Sequence, residues 1–257
     1  MKGFLNQLTP EKLKKMNENN KPEIKTGQII PAVLYGMQRA STNYTEQLIV
    51  KNFKDVKILN SSLARCLPAH RHFRLYDQKF IIPDQQYYNS FTYDDFPSFK
   101  AHVNEISEQE VRFFIVTIKD PFSWYLSYYR HAKKNGFPMN RKTFNSHFVI
   151  DYNLFYRKWL AFKKQAPAEV LIVKYEDALN DLSLFLKNIA VFFGMDSTPG
   201  HIINPKKVGM SKKFSSKKLE YYSQKKYMDM LSSRDKKIII SLIDEEILSL
   251  YDYNRDF

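Results

Sequence analysis

The chain has 257 residues, 40 Lys and Arg against 27 Asp and Glu, a formal charge of +13, and 44% hydrophobic and 15% aromatic residues. That apolar content excludes a disordered chain, and the length allows one sizeable core. A lone cysteine, Cys66, excludes an internal disulfide framework and a Cys-rich zinc site, and the absence of any run near ~18 apolar residues excludes a membrane-spanning helix.

Residues 1–28 are polar and Lys-rich and read as an N-terminal arm: a short helix, then an extended lead-in. The opening stretch lacks the uninterrupted apolar segment of a secretory signal, so the expected setting is the cytoplasm. A single domain is expected over 29–257. It opens with IIPAVLY, residues 29–35, a buried strand ended by Gly36. From Ser41 to Phe53 apolar residues recur at helical spacing, and Asn43 and Glu46 have the offset of a capping box. A short strand is predicted over Val56 to Leu59. The run VRFFIVTI, residues 111–118, has the near-continuous apolar character of a strand covered on both faces.

Lys119 and Asp120 end that strand, and Pro121 suits the first turn of a helix running to about Lys134. A further helix is predicted over 151–165 and a strand over Glu169 to Glu176. Asn180 or Asp181 caps the helix LSLFLKNIAVFF, with Gly194 at its end. Residues 200–228 are basic and irregular, and Ser233 to Tyr251 reads as a last helix. Strands alternating with helices give an α/β fold around a parallel sheet.

The most informative stretch joins the first strand to its helix: Tyr35-Gly36-Met37-Gln38-Arg39-Ala40-Ser41-Thr42-Asn43-Tyr44. Such a turn aims backbone N–H groups and a helix N-terminus at one spot, a place for an anion. Arg39 adds a permanent cation, and Ser41, Thr42 and Asn43 add side-chain donors. The plain alternative is a strand–helix connection with an Asn cap. It is not a Walker A loop, because the phosphate-reaching lysine would fall at Thr42. Further on, Lys119 sits at a strand's carboxyl end, where an open α/β sheet holds ligands, and Ser127 follows eight residues later. A solvated lysine and an ordinary helix serine are the bland reading of that pair.

Together these segments resemble the sulfotransferases that use 3′-phosphoadenosine 5′-phosphosulfate (PAPS). Their 5′-phosphosulfate loop reads P-[KR]-[SA]-G-T-[TN]-[WYF]; residues 38–44 match it with Gln38 for Pro and Ser41 for Gly. Their 3′-phosphate segment, R-[DN]-P with a serine eight residues after the arginine, is matched by Lys119-Asp120-Pro121 and Ser127-Tyr128-Tyr129. Residues 172–178 echo the family's V-x-Y-E-D-L strand end, and Leu186 to Gly194 its L-x-x-I-A-x-F-x-G helix.

The resemblance implies a three-layer, P-loop-like α/β fold with a central parallel sheet flanked by helices. It also implies a sulfotransferase with PAPS as donor, PAP as product and no required metal. It assigns Gln38, Arg39, Ala40, Ser41, Thr42 and Asn43 to the phosphosulfate loop and Tyr44 and Tyr175 to the adenine side. Lys119 and Ser127 go to the 3′-phosphate. Lysine lacks a bidentate fork, so a looser grip is expected there. The family's third cofactor element has no recognisable counterpart, though residues 206–218 have the charge and place for it.

An acceptor hydroxyl needs a general base, which family members supply as His or Glu. Six histidines are available (His70, His72, His102, His131, His147 and His201). His72 is favoured, with Arg71 in the basic position and His70 second; a structural histidine is the alternative for each. A saccharide or other small molecule offering a hydroxyl or amine is the expected acceptor. The rival readings are a P-loop kinase and a basic nucleic-acid-binding protein. No nucleic-acid motif supports the latter, and no specific nucleic-acid partner is expected.

Overall fold

The computed structural model describes residues 28–60, 67–76, 92–136, 141–195, 200–205 and 216–253. Nearly all of the N-terminal arm and residues 206–215 of the basic segment lie outside these. The element order is β1 (Ile30–Gly36), α1 (Thr42–Asn52), β2 (Val56–Ile58), α2 (Phe96–Ser107), β3 (Phe113–Ile118), α3 (Pro121–Lys134), α4 (Arg141–Gln165) and β4 (Val170–Lys174). Then follow α5 (Tyr175–Asn180), α6 (Leu182–Phe192), α7 (Ser216–Ser223), a 3-10 turn (Lys226–Met230), α8 (Ser233–Leu242) and α9 (Glu245–Ser249).

The four strands form one parallel sheet in the order β2-β1-β3-β4. Both faces are covered, and the alternation along the central strands shows how. Val33, Tyr35, Phe114, Val116 and Ile118 enter a large core with Phe99, Trp124, Tyr156 and Trp159 from α2, α3 and α4. Ala32, Leu34, Phe113 and Ile115 enter a second core with Leu48, Ile49, Leu186 and Ile189 from α1 and α6. A period of two with apolar residues on both phases is what a sheet between two helical layers requires. The fold is a three-layer α/β sandwich.

Several boundaries differ from the sequence expectation, each for a local reason. Asn43 does not cap α1: the N-cap is Ser41, and the side chains of Asn43 and Glu46 both accept from Arg71 Nη1, at 2.6 and 2.8 Å. The last helix is two helices, because Asn153 of α4 inserts at the break. Its amide donates to Leu242 O at 2.6 Å and accepts from Asp244 N at 3.2 Å. Helix α4 begins ten residues earlier than expected, at Arg141. α2 was not expected, although Asp95 accepts from Ser98 N as its cap and Phe96, Phe99 and Val103 face the core. Asp181, not Asn180, caps α6, accepting from Leu184 N at 2.9 Å.

Candidate active site

β1 and β3 are parallel neighbours with Gly36 beside Thr117. Their following segments, residues 37–41 and Lys119-Asp120, therefore leave the sheet at the same edge. Gly36 is required here for close approach: a Cβ would lie 2.6 Å from Thr42 Cγ2 and 2.9 Å from the Thr117 carbonyl. Arg39 and Ser41 both take the left-handed conformation, at φ 70° and 72°. Ser41 thus adopts the backbone that glycine reaches without strain, and the turn keeps that form at some steric cost. Arg39 is exposed, while Gln38, Ala40 and Thr42 are buried. α1 starts directly after, so its first-turn N–H groups open on the same turn.

Lys119 is 2% exposed, and its ammonium donates to Ser127 Oγ at 3.0 Å and Tyr222 Oη at 3.2 Å. Two hydroxyls thus gather on one buried cation. Burial pushes the Lys119 pKa down to about 8; the nearby Glu176 carboxylate opposes that shift, and the Arg39 charge adds to it. Burial raises the Glu176 carboxyl, and the charge of Asp120 raises it further. The helix that carries Ser127 is fixed by Asp120, whose Oδ1 accepts from Phe122 N and Ser123 N at 3.0 and 3.1 Å. Asp120 Oδ2 accepts from Tyr253 Oη at 2.7 Å.

Tyr175 lies between the two groups. Its ring meets Tyr44 edge-on at 5.8 Å and Tyr222 at 5.1 Å, and it hydrogen-bonds Ser41. Tyr44 is buried and donates from its hydroxyl to Asn204 Oδ1 at 3.1 Å.

Residues 70–74 pass over the end of β1. Gly36 N donates to Arg71 O at 3.0 Å, and His72 Nδ1 donates to Gly36 O at 2.6 Å. That bond fixes the neutral tautomer and puts the lone pair on Nε2. Burial lowers the His72 pKa to about 3, aided by His70, Arg74 and Arg71, so the ring is neutral near pH 7. His70 has a different job: its Nδ1 accepts the His72 backbone N–H at 3.1 Å. His102 pairs with Tyr93 and His131 with Asn135.

Arg39, Ser41, Thr42, Asn43, His72, Lys119, Ser127 and Tyr175 thus gather at one edge of the sheet. Sequence reasoning missed Tyr222, Arg74, Asp151 and Glu176. Tyr222 follows a segment without clear periodicity. Arg74 and Asp151, 77 residues apart, carry no shared local signal. Glu176 is legible only as part of a strand-end motif. Among the described residues no group of three or more His, Cys, Asp or Glu side chains could hold a metal. Nor, among the described residues, is any helix long and apolar enough to cross a membrane.

No family model matches the chain, and no curated protein does. Among solved structures, mouse sulfotransferase SULT7A1 complexed with PAP aligns at a TM-score of 0.50 and 12% identity, over 94% of this chain and 93% of its own. The sulfotransferase domain of the Synechococcus PCC 7002 olefin synthase aligns at a TM-score of 0.44 and 14% identity, over 91% of this chain and 98% of its own. The likeness to the mouse protein shows that this chain has a sulfotransferase fold.

Proposed function

We propose that this chain, with its sulfotransferase fold, moves a sulfuryl group from PAPS to a hydroxyl or amine of a saccharide or another small acceptor. The observation that carries the proposal is the meeting of the Arg39 turn with the Lys119–Ser127 pair at the ends of adjacent strands. A nucleotide phosphorylated at both its 3′ and 5′ positions needs two anion groups flanking a place for its base. The donor set fits: a guanidinium and a helix N-terminus on one side, and a buried ammonium with hydroxyls on the other. The mouse protein's complex with PAP supports the choice of nucleotide.

PAPS supplies the activated sulfuryl group; the chain's own residues do the rest. Arg39 and the N–H groups at the start of α1 hold the 5′ end and offset charge that develops on its leaving oxygens. Lys119 and Ser127 hold the 3′-phosphate and so orient the whole donor. Tyr175, between them, borders the place for adenine. His72 Nε2 would take the proton from the acceptor hydroxyl as its oxygen bonds to sulfur and the bond from sulfur to the bridging oxygen of PAPS breaks, with PAP as the leaving group. Negative charge on the bound donor raises the basicity of His72, which is low in the free protein.

The test is direct. PAP should raise the melting temperature without Mg²⁺, its binding adding about 2.7 kcal/mol of stability at a hundredfold excess over Kd, while ATP–Mg should not. Incubation with ³⁵S-PAPS and a panel of sugars and amines should label one acceptor class. Stabilisation by ATP–Mg in place of PAP would overturn the proposal.

A further inference from the structure

Gln38 stands where the resembled loop pattern carries proline, a residue with no side-chain amide to offer. It is buried, and its amide oxygen accepts from Arg74 Nη2 at 2.8 Å. A guanidinium only donates, so this contact fixes which end of the amide is oxygen and turns Nε2 the other way. Among the described residues, no group accepts a hydrogen bond from that buried nitrogen. An orphaned buried donor is rare in folded proteins and calls for an explanation.

The clamp itself is rigid. Arg74 is fully buried and donates to Asp151 from Nε at 2.9 Å and from Nη2 at 2.7 Å. Its Nη1 donates to the His72 carbonyl at 2.7 Å, and Tyr76 Oη also donates to the Asp151 carboxylate. On the loop side, the Gln38 carbonyl accepts from Trp124 Nε1 at 2.9 Å. Gln38 is held at both its backbone and its amide oxygen, and one arginine links it to the segment carrying His72.

We infer that Gln38 is a ligand for the sulfuryl group of the donor, offering Nε2–H to its oxygens, and that Arg74 is the positioning residue that keeps the amide turned that way. The inference rests on the sulfotransferase reading of the loop. A sulfuryl group in flight carries its negative charge on oxygens around an electron-poor sulfur. A fixed neutral donor in a dry site stabilises those oxygens without holding the charged product.

PAP lacks the sulfuryl group and PAPS carries it, so their affinities separate this role from a general one. By calorimetry, Gln38→Ala should leave PAP affinity within about twofold and weaken PAPS about tenfold, with turnover down about a hundredfold. Gln38→Glu, which swaps the donor for an anionic oxygen, should cut PAPS affinity further and still spare PAP. Arg74→Lys should reproduce the selective loss, and Gln38→Ala added to it should cost little more, because the two act as one unit. If Arg74→Lys does not fold, Arg74→Gln with Asp151→Asn keeps the site neutral and takes its place. Equal losses for PAP and PAPS, or no loss for either, would overturn the inference. A parent protein that binds neither nucleotide would instead sink the functional reading, and this inference with it.

Discussion

Lys119 shows how one buried side chain sets the working conditions of a site. With its pKa held at about 8 by burial, it is cationic below that value and increasingly neutral above it. A phosphate monoester becomes a dianion above about pH 6, so PAP should bind best between about pH 6 and pH 8 and weaken as the pH climbs toward 9. Lys119→Arg should flatten the alkaline fall in a calorimetric pH series; an unchanged fall would assign it elsewhere. His72→Ala should cut turnover about a hundredfold or more while PAP affinity holds, as read by single-turnover assay and calorimetry. Retained turnover would move the base to another group. The order of the two histidines was legible in the sequence only as a preference. What separates them physically is a hydrogen bond each: His72 to Gly36 O, and His70 to the His72 backbone.

The elements of the sheet were legible because their signals are local. β1 and β3 are apolar on both phases, Pro121 and Asp120 open α3, and the Lys119-to-Ser127 spacing spans the first turns of that helix. The spacing alone leaves open whether Ser127 turns toward Lys119; the structure shows that it does. Gly36 ends β1 for a reason of packing: α1 leaves β1 so tightly that a methyl group has no room. Gly36→Ala should cost about 1–3 kcal/mol by overpacking, read as a lower denaturant midpoint. Thr42→Ser, which removes the nearer methyl, should recover only part of that loss, since the Thr117 carbonyl stays where it is. Full stability in Gly36→Ala would mean that the turn relaxes. The missed α2 had its signals in plain sight: Asp95 as cap, Pro97 in the first turn, and core residues at helical spacing.

Across the whole molecule, the site depends on contacts between distant parts of the chain, and these left no trace in local pattern. Arg74 reaches Asp151 in α4, Lys119 reaches Tyr222 in α7, and Asp120 reaches Tyr253 near the end of the described chain. The last of these ties the C-terminal turn to the cap that starts α3. Tyr253→Phe removes one donor from a carboxylate that is otherwise fully buried. It should cost about 1–3 kcal/mol, a melting-point loss of several degrees for a chain this long. No change in a calorimetric melt would show the contact to be replaceable. The net charge of +13 suits a solvated Lys-rich surface as well as a field that draws anions, and composition does not choose between them.

Trp124 links the turn after β1 to the core through its indole N–H on the Gln38 carbonyl. The chain has two tryptophans, and the other, Trp159, lies within the aromatic packing of α2 and α4. A Trp159→Phe protein, excited where tyrosine does not absorb, would therefore emit from a single tryptophan wired to the turn. Its spectrum would give an optical titration of any molecule that settles there, with no label added.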